Sequence, residues 1–140
     1  MFKTALTAPE RIARMRENVA LFPTISRLQP AAPDVERGPI AICGFGPSLA
    51  DTWRDIAGDV MTTSGAHGFL ISRGVIPKYH VETDARIHKV NFIYNSHPDV
   101  SYLINSHCHR VMFETLLEAK RNVWMWHGFT DDDAENQIAL

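Results

Sequence analysis

Gly44-Phe45-Gly46-Pro47-Ser48 places two glycines, a proline and a hydroxyl in five consecutive residues, directly ahead of an apolar helical pattern from Leu49. Glycine allows positive φ and leaves room for a ligand to approach the backbone closely. Pro47 and Ser48 fit a helix start, with Ser48 as a cap facing Asp51. Such a loop can turn its amides towards an anion, most naturally a phosphate. The plain alternative is a tight turn that needs these residues for geometry alone. The loop lacks the third glycine of a dinucleotide fingerprint, and no Gly-Lys-Ser/Thr follows to make it a P-loop. A standard dehydrogenase or P-loop ATPase is therefore not expected.

Other stretches carry similar chemistry. Thr63-Ser64-Gly65 is a second polar, glycine-containing segment, and His67 just beyond it could donate to an anion. Asp84 could bind a ribose hydroxyl or hold Mg2+ beside phosphates, since that ion takes oxygen ligands. Its alternative role is a helix cap. Glu82 would share a sheet face with Asp84. In His107-Cys108-His109 the two imidazoles would project to one side of an extended segment. Zinc needs three or four ligands, and His127 is the one further candidate. A phosphate contact or an acid/base role for His107 or His109 is the stronger expectation, against a helix cap. Lys78, Arg86 and Lys89 could supply positive charge, although Lys78 belongs to the opposite rim. Arg110, at the start of a helix, sits against the dipole and so should face an anion.

Alternating elements must position these groups. Short apolar runs at 40–43, 60–62, 79–82, 100–104 and 123–126 fit buried strands. Helical patterns lie between them at 49–56, 67–73, 86–92 and 110–119. Gly74 and Pro77 mark a clear stop after the second. This predicts an α/β fold: a Rossmann-like three-layer sandwich with a mainly parallel sheet of about five strands and helices on both faces. Each strand would lead into one of the polar stretches above, and all five would open on one rim, where parallel sheets bind ligands. Trp124 and Trp126 fall on one face of the last strand and read as core. Ahead of this domain (40–130) lies a segment, 1–39, with a helix at 9–19 and a proline-rich arm at 22–39. An acidic, solvated tail, 131–140, follows it.

Composition sets the class. The chain has 140 residues, 45% hydrophobic and 21% charged, with formal net charge −2. That gives no basic field for nucleic acid. Cys43 and Cys108 make no disulfide framework, and no apolar run reaches membrane-span length. A cytoplasmic protein with no nucleic-acid or membrane partner is expected.

Three segments together resemble a known family. They are Ile42-Cys43-Gly44-Phe45-Gly46-Pro47-Ser48-Leu49, then Ser64-Gly65-Ala66 opening a helix that ends Arg73-Gly74-Val75-Ile76-Pro77, then Val81-Glu82-Thr83-Asp84. In order and spacing they resemble the 6-hydroxymethylpterin diphosphokinase-like (MptE-like) domain family. That domain also occurs in motility-accessory-factor glycosyltransferases, and the Gly-x-Gly-Pro-Ser-Leu loop is similar to the nucleotide-sugar loop of one class of bacterial sialyltransferases. The resemblance runs from about residue 39 to 84 and loosely on to 126. It implies a nucleotide-binding transferase, with phosphates on the first loop and Asp84 in the site. Phe45 departs from it, standing where a smaller or polar residue is common. The chain also stops soon after the fifth strand, where family members continue.

The expectation is diphosphoryl transfer from a nucleoside triphosphate, ATP or CTP, to a small alcohol such as a hydroxymethylpterin. Gly44, Phe45, Gly46, Pro47, Ser48, Thr63, Ser64 and Gly65 would bind the nucleotide, with Mg2+ near Asp84. Asp84, His107 and His109 would be the catalytic candidates. Transfer of a sugar from a CMP-sugar is the alternative, and a noncatalytic nucleotide-binding or structural module the rival from another class.

Overall fold

The computed structural model describes residues 6–29, 38–128 and 133–139. Six strands form one all-parallel sheet flanked by helices, an α/β Rossmann-like sandwich. The strands are β1 (Ser26–Arg27), β2 (Ile40–Cys43), β3 (Asp59–Thr63), β4 (Tyr79–Glu82), β5 (Ser101–Asn105) and β6 (Asn122–Trp126). The helices are α1 (Ala8–Leu21), α2 (Leu49–Thr52), α3 (Ala66–Ile71), α4 (Arg110–Glu118) and α5 (Asp133–Ala139). Short 3-10 helices at Trp53–Asp55 and Ile87–Ile93 complete the set.

Two parts of the chain differ from the sequence reading. The arm at 22–39 contributes β1, which pairs with β6 at the sheet edge, and Leu28 donates its amide to the Met125 carbonyl. Residues 133–139 of the acidic tail form α5, which packs on α1. The remaining tail residues, 131–132 and 140, lie outside the described ones.

Strand order is β1-β6-β5-β4-β3-β2. From β2 to β6 each strand is added on the same side of its predecessor. Right-handed crossovers then put all the intervening helices on one face. The register agrees. Val60, Thr62, His80, Glu82, Tyr102, Ile104, Val123 and Met125 share that face, and all are buried. Phe113 and Leu116 of α4 and Ile93 of the 3-10 helix complete the larger core there. Cys43, Leu49, Ala66 and Leu70 form a smaller one under α2 and α3.

The opposite face carries Ile40, Ile42, Met61, Tyr79, Val81, Leu103, Trp124 and Trp126. Ile42 there is 69% exposed. The helical layer expected on this face is not among the described residues, and Trp124 and Trp126 are half-buried, not core. A depression of about 680 Å³ lies on it, lined in part by Ile40, Met61, Tyr79, Leu103 and Trp124.

Candidate functional site

Because every strand is parallel, the loops after β2 to β6 open on one rim, and contacts tie them into a row. The Phe45 ring lies on Gly65: a Cβ built on Gly65 would come within 2.6 Å of it. Next to Gly65, the Ser64 hydroxyl accepts from Lys89 Nζ at 3.1 Å. Lys89 Nζ stands 3.4 Å from Asp84, whose carboxylate also takes the Arg86 guanidinium on both oxygens. Beyond Asp84, His107 Nε2 donates to the Thr83 carbonyl at 2.7 Å. The row thus runs from the first loop through Ser64, Lys89, Asp84 and Arg86 to His107.

Local backbone explains part of this row and leaves part unexplained. Ser64 has φ 49°, the left-handed region that costs a residue with a Cβ about 1 kcal/mol or more. Strain of that kind, at a strand end lined with polar groups, points to function. Gly44 and Gly46 show the reverse. Neither has positive φ, contrary to the expectation for Gly46. A Cβ on Gly44 would meet nothing within 4 Å, and one on Gly46 only the Ser48 hydroxyl at 4.0 Å. The turn therefore needs no glycine at either position. Ser48 is also not a side-chain cap: its backbone is already helical, and its carbonyl accepts from the Thr52 amide and hydroxyl.

Asp84 is held in its charged form. The hydrogen bonds from Arg86 keep its carboxyl far below the usual carboxylate range, against partial burial, and Lys89 adds to them. Its Oδ1 also accepts the Arg86 amide at 3.0 Å, a local turn and not the expected helix cap, since Arg86 itself is the N-cap of the 3-10 helix. Glu82 does not join it at the surface. Glu82 is 3% exposed, and its Oε1 accepts from the Thr83 and Asp84 amides.

These residues do not fit a Mg2+ site. The carboxylate on the rim is already committed to two cations, and the other faces inward. Among the described residues no group of three or more His, Cys, Asp or Glu side chains could hold a metal ion. The histidines follow suit. His109 Nδ1 accepts the Val111 amide and caps α4, and burial, then Arg14 and Arg110, lowers its pKa. His67 is fully buried and cannot meet an anion at the surface; its Nε2 is hydrogen-bonded to the Tyr102 hydroxyl at 2.9 Å. Arg110 does face anions, but they are Glu17 of α1 and Glu114 of α4. Lys78 pairs with Asp59 at the opposite rim, as expected.

The sequence reading missed α1 as part of this rim. Asn18, fully buried, donates to the Ser106 and Cys108 carbonyls at 2.8 and 2.9 Å. Arg14 donates to the Ala85 carbonyl at 2.8 Å. The helix thus braces the loops after β4 and β5 and leaves the open part of the rim over β2 to β4. Its signal was a polar residue, Asn18, on the same stripe as Met15 and Phe22.

No family model, curated protein or solved structure matches this chain. Among the described residues, no helix is long and apolar enough to cross a membrane.

Proposed function

We propose that the rim over β2 to β4 binds the phosphates of a nucleotide, and that the domain serves a nucleotide-dependent transferase. One observation carries this reading. Gly44 and Gly46 lack side chains where neither backbone angle nor packing requires it, in the loop that touches Gly65 and so adjoins the Ser64–Lys89 pair. Space that the fold does not use, beside fixed cations, suits an incoming anion. Lys89 and Arg86 would meet the phosphates from where Asp84 holds them, and Ser64 would donate its hydroxyl. Preorganised charge of this kind stabilises a phosphate leaving group without reorganisation.

Of the two reactions the motifs suggest, sugar transfer from a nucleotide-sugar suits the site better. Two side-chain cations are in place, and Asp84, the carboxylate beside them, is paired with both. Thermal melts with CMP, CTP and ATP, with and without Mg2+, test this. Ligand at about 100 times its Kd adds roughly 2.7 kcal/mol of stability. A shift is expected without Mg2+, and Gly46→Val should remove it while leaving the apo melt unchanged. A shift that needs Mg2+ would favour diphosphoryl transfer instead. No shift with any nucleotide would leave a noncatalytic structural module.

A further inference from the structure

We infer that Phe45 is a stacking platform for the nucleobase of the bound nucleotide, an inference that rests on the phosphate reading above. Phe45 is 60% exposed, a costly placement for a large apolar ring. It is nevertheless held in place. One side of the ring lies on the bare backbone of Gly65, where any larger residue would collide with it. Phe69 flanks it with ring centroids 6.4 Å apart and planes tilted by 59°. Gly65 thus makes room for Phe45, and the ring covers a backbone that could have carried its own side chain.

A cleft of about 260 Å³ opens beside the ring, bounded by Gly46, Pro47, Leu49, Ala50 and Phe69. Its walls are almost wholly apolar, so it does not suit a phosphate. It does suit a planar ring whose polar edge stays in water. The cleft shares Gly46 and Pro47 with the phosphate loop, so a ring there and phosphates over Ser64 can belong to one molecule. Base stacking on an aromatic side chain tolerates any base, because every base has a π-face. The platform therefore supplies affinity for nucleotides as a class, not a choice among them.

Calorimetric titration of the full chain with CMP, CTP, ATP and inorganic tripolyphosphate separates the platform from the phosphate site. At least one nucleotide should bind about tenfold or more tighter than tripolyphosphate. Phe45→Ala should abolish that preference, bringing nucleotide affinity down to that of tripolyphosphate. Phe45→Trp should retain it. Because Phe45 is exposed, both variants should melt like the parent. Tripolyphosphate binding with no nucleotide preference, or an equal loss for all ligands in Phe45→Ala, overturns the platform and leaves the phosphate site standing. No binding of any of the four overturns both.

Discussion

Ser64 concentrates the tension between stability and binding in one residue. Its left-handed backbone, φ 49°, is ordinary for glycine and strained for serine. The side chain that causes the strain is the one that receives Lys89. Ser64→Gly relieves the strain, about 1 kcal/mol, against a comparable entropy cost of ordering glycine. The variant should therefore melt at the parent temperature or a little above it. Its nucleotide affinity should fall, because Lys89 loses a partner that fixes it at the rim. Paired melts and titrations check this. A variant that loses stability and keeps its affinity would make Ser64 a purely structural residue. Asp84 acts beside it, holding Arg86 and Lys89 in place at the rim.

At the scale of elements, β3, β4, β5 and α3 meet in a buried polar cluster. His80 Nδ1 lies 3.0 Å from the Thr62 hydroxyl, and the His67 and His80 rings meet edge-on at 4.8 Å. Burial lowers the pKa of His67 to about 4 and that of His80 to about 3. The unfolded chain binds protons near 6.5, so it gains them first as pH falls. Stability is thus complete above about pH 6.5 and drains as pH approaches 4 and then 3. Each histidine costs about 2 kcal/mol by pH 5. Urea unfolding at pH 7 and pH 5 should show that loss, and His80→Gln should remove about half of it. Equal losses in both proteins would refute the buried cluster. This cluster was not legible in the sequence, because His67 and His80 join only through the crossover between β3 and β4. The strands were legible. β2 is an apolar run bounded by Pro39 and Gly44, whereas β4, bounded by Lys78 and Thr83, mixes Tyr79 and Val81 with His80 and Glu82. β1 was not, since Ser26 and Arg27 have no pattern of their own and extend only because β6 offers an edge. The site divides the same way. In the proposed site, Gly44, Gly46, Ser64 and Asp84 stand out in the sequence by type and place. The Lys89 contact needed the pitch of a 3-10 helix, and the bracing by α1 needed the whole fold.

The whole molecule presents an asymmetry that strand order alone explains. Successive right-handed crossovers from β2 to β6 stack their helices on one face, and parallel sheets are normally covered on both. Ile42 and Ile104 report on the two faces. Ile104 is fully buried under α4 and the 3-10 helix, whereas Ile42 is 69% exposed on the other side. Truncating a buried isoleucine to alanine costs about 2–5 kcal/mol, from lost transfer energy and the cavity left behind. Truncating an exposed one costs within about 0.5 kcal/mol. Ile104→Ala should therefore fall well below the parent in urea, and Ile42→Ala should match it. The comparison is internal, because both residues are isoleucines in strands of one sheet. If Ile42→Ala also loses 2 kcal/mol or more, the second face is covered in solution. Repeating that measurement over a hundredfold range of protein concentration then identifies the cover. A loss that grows with concentration requires a second copy of the chain, and a constant one requires the chain itself.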